Sequence, residues 1–199
     1  MRKKVVCVLM MTLCLLSGCG GGGGGESGEG ASLRQAYQDM AGADLTADLS
    51  FTWNGQVREY TLACAYVPAG KSTVEVLAPE SLAGVKATVD GETLALTYED
   101  TCLDAGTVSD QALSPAAVLP QLLDALREGW LLEESREKWG DTPCLRLTVD
   151  TTGSEGGKVL WTVWLEEETG LPVHGEVAVD DEIIFQVEFT DFAFHATMS

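Results

Sequence analysis

Apolar and polar residues alternate along much of the second half of this chain, and this period limits the possible fold more than any other sequence feature. Leu145, Leu147 and Val149 alternate with polar residues, and segments 159–166 and 183–190 repeat the pattern. Side chains of a β-strand point to opposite faces in turn, so each segment is predicted to be a strand with one apolar face. A sheet built from such strands needs a cover on that face.

Short turn sequences separate the predicted strands. Asn54-Gly55 and Asp90-Gly91 are two-residue hairpin signals, because these residues readily take positive φ values. Hairpin connections make neighbouring strands antiparallel, so we predict an antiparallel sheet of about ten strands. Five strands are expected before a helical insert and five after it. The predicted strands are 45–53, 56–66, 72–79, 84–89, 92–98, 130–138, 143–150, 158–166, 172–179 and 182–192.

Two segments with helical apolar spacing supply the expected cover. Residues 31–41 form a short helix candidate, and Ser114-Pro115 is a typical helix start. Pro120 is predicted to interrupt the second segment, which gives two short pieces, the latter over about 120–128. The apolar stripe of this insert consists of Val118, Leu119, Leu122, Leu123 and Leu126. The sequence therefore predicts an α+β fold, a curved antiparallel sheet with short helices over its concave face.

The N-terminus has the organisation of a secretory signal. Basic residues at 2–4 precede an uncharged run, 5–16, that is shorter than the roughly 20 residues of a transmembrane helix. The run ends in Leu-Ser-Gly-Cys at 16–19, which resembles the lipobox of bacterial lipoproteins. The resemblance implies that the Cys19 thiol accepts a diacylglycerol and that cleavage leaves Cys19 as the N-terminus. The alternative is an ordinary cleaved signal in which Cys19 is incidental.

The segment after Cys19 is predicted to be a tether. Glycines fill positions 20–25, and the polar residues that come after them cannot hold a helix or form a core. The chain is thereby divided into a lipoprotein signal peptide at 1–18, a lipidated cysteine with a glycine-rich tether at 19–30, and a folded domain at 31–199. A domain of this length can bury a substantial core.

The chain is strongly acidic. It contains 31 Asp and Glu against 12 Lys and Arg, a formal net charge of −19, and three of the basic residues lie in the predicted signal peptide. This excess repels nucleic acid and anionic membrane surfaces. We therefore expect no nucleic-acid partner, an apolar or cationic partner if there is one, and a monomeric domain.

Three cysteines, Cys64, Cys102 and Cys144, lie in the predicted domain. Three is an odd number, so at least one thiol is expected to be free. Their spacing fits no zinc-site pattern. Buried packing cysteines are the default expectation, and one disulfide is the alternative.

No residue pattern indicates catalysis or phosphate binding. His174 and His195 lie near no recognisable nucleophile, so we expect them in surface or half-buried packing. Gly-Lys-Ser at 70–72 ends a loose phosphate-loop pattern, but a strand is predicted after it, where a phosphate loop has a helix. Acidic clusters at 166–168 and 180–182 are predicted to be solvated turns. The sequence therefore predicts no enzyme and no cofactor apart from the covalent diacylglycerol.

Several segments together resemble a known family. They are VDGETLALTYED at 89–100, the helical insert, VWLEEETGLPVHGEV at 163–177 and VEFTDF at 187–192. In this order they resemble the LolA/LolB-like lipoprotein-localisation superfamily over about residues 40–195. The resemblance implies an unclosed half-barrel whose helices cover an apolar interior that accepts acyl chains. We predict that the cavity lining includes Leu119, Leu122, Leu123, Leu126, Leu147, Trp161, Val163 and Phe185.

The leading hypothesis from the sequence is a membrane-anchored extracytoplasmic lipoprotein that binds an acyl chain or a lipoprotein in a half-barrel cavity. It rests on the one-sided sheet and on the helical cover at 115–128. The alternative is a non-enzymatic protein-interaction or envelope-sensor module whose core is filled and whose partners dock on the acidic exterior. An exchangeable apolar cavity would separate the two.

Overall fold

A computed structural model describes residues 29–91, 93–99, 101–107, 113–152 and 157–195. The predicted signal peptide, the predicted lipidation site Cys19 and the predicted tether as far as residue 28 lie outside the described residues, whereas the last two residues of the predicted tether, Glu29 and Gly30, belong to the first helix. The elements are α1 (Glu29–Asp39), β1 (Gly42–Trp53), β2 (Gln56–Tyr66), β3 (Lys71–Ala78), a 3₁₀ turn (Glu80–Leu82), β4 (Lys86–Asp90), β5 (Thr93–Tyr98), β6 (Thr101–Thr107), α2 (Val118–Glu128), β7 (Trp130–Trp139), β8 (Thr142–Asp150), β9 (Val159–Glu166), β10 (Pro172–Val179) and β11 (Glu182–His195).

The described strands, eleven in all, form one antiparallel sheet in the order β6-β5-β4-β3-β2-β1-β11-β10-β9-β8-β7. The first and last strands, β1 and β11, pair at the centre, and the chain meanders outward on both sides of them. Since β6 and β7 remain the two edges, the curved sheet is not closed. The predicted fold class, a curved antiparallel half-barrel with short helices, is confirmed. In the part of the chain that the structure describes, no helix is long and apolar enough to cross a bilayer.

The sheet has one strand more than the sequence predicts. β6 pairs with β5, with Thr101 opposite Tyr98 and Cys102 opposite Thr97. Its sequence, TCLDAGT, contains only one large apolar side chain, so no hydrophobic period marks it as a strand. Backbone pairing with β5 forms this edge strand, and that pairing leaves no pattern in the sequence.

The β1–β2 connection is the tight hairpin that the sequence predicts. Trp53 lies opposite Gln56, and the two residues between them, Asn54 and Gly55, have φ values of 52° and 74°. Positive φ at both central positions is the turn geometry that matches the right-handed twist of the flanking strands. This hairpin fixes the register that places Phe51 opposite Arg58.

The apolar face of the sheet is buried beneath the helices. Leu49 lies opposite Val187 at the centre of the sheet, and Leu147 lies opposite Val163 on its β8–β9 side. These side chains and the leucines of α2 form one buried cluster. The approach of α2 is close, because a Cβ atom added to Gly175 would lie 2.8 Å from Leu122 Cδ1. Gly175 therefore allows the helix to pack directly on β10.

α2 is one helix, and the predicted break at Pro120 is wrong. A turn precedes the helix, in which the Ala117 N–H donates to the Ser114 carbonyl at 2.9 Å. Pro120 is the third residue of α2, in the first turn, where backbone N–H groups have no partner within the helix. The proline therefore removes no helical hydrogen bond.

α1 is tied to the C-terminal end of α2. Arg34 is 3 % exposed, and it donates from Nε to the Leu126 carbonyl at 2.6 Å. It also donates from Nη2 to the carbonyls of Arg127, at 3.3 Å, and Gly129. A guanidinium here satisfies carbonyls that the helix end leaves unpaired and complements the negative end of the helix dipole. Arg127 Nε donates in turn to the Tyr37 carbonyl at 3.1 Å, so this end of the cover is held from both sides.

The cysteines are free thiols in the described structure. Cys64 and Cys144 are buried, as expected for packing cysteines, and burial raises the pKa of the Cys64 thiol to about 12. Cys102 is exposed because it lies on the edge strand β6, so the expectation of burial is wrong for this residue. The alternative of a disulfide does not occur among these three.

Candidate ligand-binding site

An open cavity of about 620 Å³ lies at the end of the concave face where β1 ends and β2 and β11 begin. Small-molecule pockets in proteins have volumes of roughly 300–1,000 Å³. We call it the apolar cavity. It is lined by Phe51, Thr52, Trp53, Arg58, Tyr60, Leu113, Pro115, Ile184 and Phe185. The central strands supply most of this lining, and the segment before α2 supplies the rest.

Aromatic rings make up much of the wall of the apolar cavity. Phe51 and Tyr60 stack with ring centroids 5.7 Å apart and an interplanar angle of 8°. Phe51 also contacts Phe185, its cross-strand partner on β11, with centroids 5.3 Å apart. Phe51 and Tyr60 are only half-buried, so their ring surfaces are not fully used by the protein. This wall can contact an apolar ligand without prior rearrangement.

Arg58 contributes the one formal charge among the described residues that line the apolar cavity. Because Arg58 is directly opposite Phe51, its side chain leaves the sheet on the same, concave face. Its Nη2 donates to Gln56 Oε1 at 3.0 Å, and no carboxylate among the described residues pairs with it. The mouth of the cavity therefore carries an exposed guanidinium that has no counter-ion within the described structure.

Exposed apolar side chains concentrate at the same end of the sheet. The large apolar residues exposed in the described structure lie there with the single exception of Val67. We call this surface the apolar rim. It consists of Trp53, Val57, Leu77, Leu82, Tyr98, Trp130, Leu132 and Ile183. These residues come from strands across the whole sheet, and what they share is the end of the sheet at which they lie.

A second cavity, of about 470 Å³, lies between α2 and the ends of β8 and β9. It shares Leu113 with the apolar cavity, and its charged lining residues are all carboxylates. Gln121 Oε1, in the same lining, is buried and has no hydrogen-bond partner among the described residues. We call it the acceptor cavity. Its carboxylates belong to Asp124, Glu128 and Asp150.

Asp124 links the acceptor cavity to the packing beneath α2. Burial raises the pKa of its carboxyl, and the hydrogen bond that it accepts from the Tyr66 hydroxyl acts in the opposite direction. Arg127 Nη1 lies 3.9 Å from Asp124 Oδ1. This side chain is therefore part of a structural network as well as of the cavity wall.

The eight residues predicted to line a cavity have different surroundings. Phe185 lines the apolar cavity, and Trp161 lines the acceptor cavity. The other six belong to the packed cluster beneath α2, where protein side chains fill the space. These six are Leu119, Leu122, Leu123, Leu126, Leu147 and Val163. Ligand contact by any of the eight stays a prediction.

Most of the lining of the apolar cavity is absent from the sequence-based prediction. Phe51 and Tyr60 have the alternation that places them on the concave face, and they flank the Asn54-Gly55 turn. Aromatic residues at strand ends next to a hairpin are one signal that could have identified them, because a short helix cannot cover both ends of a strand. Arg58, an inward-facing charge on such a strand, is a second signal.

His174 lies apart from both cavities, on the outer face of the sheet. It is 1 % exposed, and its ring stacks on Trp139 with centroids 3.7 Å apart. Its Nδ1 lies 2.7 Å from Glu188 Oε1 without hydrogen-bond geometry. The expectation of surface or half-buried packing is therefore wrong, because Trp139 and Trp164 cover the ring. The described residues contain no group of three or more His, Cys, Asp or Glu that could hold a metal ion.

Comparisons with known proteins give structural similarity only. No protein-family model matches the chain, and no curated protein matches it. A domain described as an outer membrane lipoprotein-sorting protein from Vibrio parahaemolyticus has 10 % identity and a TM-score of 0.47, covering 86 % of this chain and 93 % of that one. A LolA superfamily protein from Nitrosomonas europaea has 10 % identity and a TM-score of 0.41, covering 86 % and 96 %. The Mycobacterium tuberculosis lipoprotein LppX has 13 % identity and a TM-score of 0.41, covering 82 % and 94 %.

Similarities at these identities and TM-scores assign neither a ligand nor a partner to this chain.

Proposed function

We propose that this chain is a lipid-anchored extracytoplasmic protein that binds an acyl chain, either free or carried by a lipoprotein, in the apolar cavity. The observation that carries the proposal is the apolar cavity itself. Most of the concave face is filled by protein side chains, whereas this end of it leaves about 620 Å³ beside half-buried aromatic rings. A concave apolar surface with few polar groups is the usual form of a small-molecule site.

The expected affinity depends on the apolar surface of the ligand. Each buried methylene contributes about 0.8 kcal/mol, so a twelve-carbon chain contributes about 9 kcal/mol. Loss of translational and rotational freedom offsets at least about 4 kcal/mol of this. The remainder of at most about 5 kcal/mol corresponds to a dissociation constant of roughly 0.2 mM or weaker. The ligand is therefore expected to exchange with solution or with a membrane.

The apolar rim supports a membrane or lipoprotein as the source of the acyl chain. It surrounds the end of the sheet at which the apolar cavity lies, and it includes Trp53 and Ile183 next to the cavity wall. An acyl chain that entered the cavity from a lipid surface at this end of the sheet would meet exposed apolar side chains near the entrance.

The location of the protein is proposed from the N-terminal sequence. The lipobox-like Leu16-Ser17-Gly18-Cys19 would give a diacylglycerol on Cys19, and the glycines at 20–25 would tether the domain to the outer face of the cell membrane. Labelling cells with radioactive palmitate tests this step. The wild-type protein should carry the label and Cys19→Ala should not. An unlabelled wild-type protein would overturn the anchor.

Two variants on β11 test binding in the apolar cavity. Ile184→Glu puts a charge into the cavity wall, whereas Gln186→Glu adds the same charge at an exposed position of the same strand. Equilibrium binding of radiolabelled dodecanol to the full chain is the measurement, in digitonin, a detergent without an alkyl chain. We expect Ile184→Glu to weaken binding at least about tenfold, because the charge must be desolvated. Gln186→Glu should bind like the wild type. Equal binding by all three proteins would contradict the proposed site.

The second candidate is a protein-interaction or sensor module with a filled core. The observation in its favour is the dense packing beneath α2, where six of the predicted lining residues are buried. This candidate predicts that the wild type does not bind dodecanol and that its partner contacts the exterior. The binding measurement above therefore separates the two functions.

A further inference from the structure

The polar groups in the lining of the apolar cavity are all able to donate hydrogen bonds. They are the guanidinium of Arg58, the indole N–H of Trp53 and the hydroxyl of Tyr60. None of the described residues that line this cavity carries a carboxylate, although the chain contains 31 acidic residues and only 12 basic ones. The lining is thus opposite in charge to the protein as a whole.

Arg58 lies on the concave face of β2. It extends from the concave face beside Phe51 and Tyr60, whereas its neighbours along the strand, Val57 and Glu59, extend from the other face. A charge on the concave face is unusual in these two central strands, where the inner positions are otherwise apolar from Leu45 to Phe51 and from Tyr60 to Tyr66. The guanidinium keeps most of its N–H donors available, since its hydrogen bond in the described structure goes to Gln56.

From this arrangement we propose that the ligand of the apolar cavity is an anionic amphiphile whose carboxylate or phosphate head group pairs with Arg58 at the mouth while its alkyl chain lies against Phe51, Tyr60 and Phe185. The inference rests on the proposed function, because it names the head group of the molecule that the cavity binds. A guanidinium matches the planar carboxylate and the phosphate with paired N–H donors.

Long-range electrostatics make this pairing necessary for an anionic ligand. A protein with a net charge of −19 repels anions in solution, so an anionic head group needs a local cation to offset that repulsion. The charged residues in the described lining of the acceptor cavity are carboxylates. This lining therefore contains no cationic side chain that could pair with an anion. The two cavities therefore differ in the head group that they can accept.

The test compares twelve-carbon probes that differ only in the head group. Dodecanoate and dodecyl phosphate represent the two sources of an anion, a fatty acid and a phospholipid. Dodecanol is neutral and dodecyltrimethylammonium is cationic. Each is measured by equilibrium binding to the full chain in digitonin. We expect at least one of the two anions to bind about five- to tenfold more tightly than dodecanol, as for a partly exposed charge-assisted pair. The tighter of the two anions identifies the source.

Three variants assign the effect to Arg58. Arg58→Gln should remove the preference for anions, measured as the ratio of anion affinity to dodecanol affinity within the same variant, and Arg58→Lys should retain most of that preference. Lys71→Gln also removes one positive charge, from an exposed position on β3 at the end of the sheet away from the apolar cavity. This variant should behave like the wild type. An anion preference that survives Arg58→Gln would overturn the inference.

The failure of this inference and the failure of the proposed function give different results. If all four probes bind the wild type equally, or if the cationic probe binds best, the cavity binds alkyl chains and only the head-group assignment is wrong. If none of the probes binds, dodecanol included, the proposed function fails and the head-group assignment fails with it.

Discussion

The two cavities beside α2 share Leu113 and differ in nearly everything else. The apolar cavity is lined by aromatic rings and hydrogen-bond donors, and the guanidinium of Arg58 is the single charge in its described lining. The acceptor cavity is lined by carboxylates and by Gln121 Oε1, which has no hydrogen-bond partner in the described part of the chain. One helix and one sheet thus produce two concave surfaces that suit ligands of opposite polarity.

The difference comes from how each cavity is built. The aromatic wall of the apolar cavity lies on the central strands β1, β2 and β11, whose inner faces are apolar and which extend beyond the reach of α2. The acceptor cavity lies against the polar side of α2. This side faces away from the core because the leucine stripe of the helix packs into the core. An amphipathic helix on a curved sheet therefore leaves apolar space at one place and polar space at another.

The largest expected effect is a loss of folding stability when a side chain in the packed region beneath α2 is shortened. Leu122→Ala should lower the free energy of unfolding by about 3 kcal/mol, because Leu122 is fully buried against Gly175 and its removal leaves a new void. Ile184→Ala should cost about 1 kcal/mol, since Ile184 is half-buried beside space that already exists. Urea unfolding measures both. Equal losses would mean that the two positions are packed alike and would weaken the contrast between filled and open regions.

The next largest effect concerns the hydrogen bonds from Arg34 to the C-terminal end of α2, beside the acceptor cavity. Arg34→Gln should destabilise the fold by about 2–3 kcal/mol, because it leaves buried carbonyls at the helix end without donors. Arg58→Gln, a change at an exposed arginine beside the apolar cavity, should stay within about 0.5 kcal/mol. Thermal and urea unfolding compare the two. If Arg34→Gln leaves the free energy of unfolding nearly unchanged, the hydrogen bonds of Arg34 are not needed to hold the helices in place.

The smallest expected effect is a pH dependence at the acceptor cavity. Burial raises the folded-state pKa of Asp124 above its ordinary value of 3.8, so its protonation favours the folded state. The resulting stability is fully present below the unfolded-state pKa and is lost as pH rises through the folded-state pKa. The stability of the wild type relative to Asp124→Asn should therefore fall between about pH 3 and about pH 7. Urea unfolding at both pH values measures the trend.

A second variant gives this pH prediction its control. Tyr66→Phe removes the hydrogen bond that lowers the pKa of Asp124, so the trend should become larger in that background. A trend that is unchanged by Tyr66→Phe, or of opposite sign, would mean that another group is responsible.

Local patterns predict most of the sheet but not its edge or its open volume. The alternation in β8, β9 and β11 and the Asn54-Gly55 turn give strands and register directly, because both depend on neighbouring residues. β6 has no such pattern and forms through pairing with β5. At Pro120 the sequence pattern predicts a helix break that does not occur, because a proline within the first helical turn removes no helical hydrogen bond.

The same distinction holds for the candidate site. The leucine stripe of α2 is readable as apolar, but whether it lines a ligand site or fills a core depends on how closely the helix approaches the sheet. Gly175 permits close approach, so the stripe is packed and the space lies farther along β1 and β2. The eight residues predicted to line a cavity therefore lie at the concave face, and Phe185 alone among them lines the apolar cavity. Their contact with a ligand stays a prediction.

By itself, the sequence determined an antiparallel, one-sided sheet with a helical cover, because these features depend on periodicity and turn chemistry within short segments. It also contains the signals from which the anchor on Cys19 is proposed. Only the tertiary structure decided which apolar residues pack together, where volume remains, and that Arg58 faces this volume. These outcomes depend on distances between segments far apart in the chain, and side-chain packing sets those distances once the whole fold has formed.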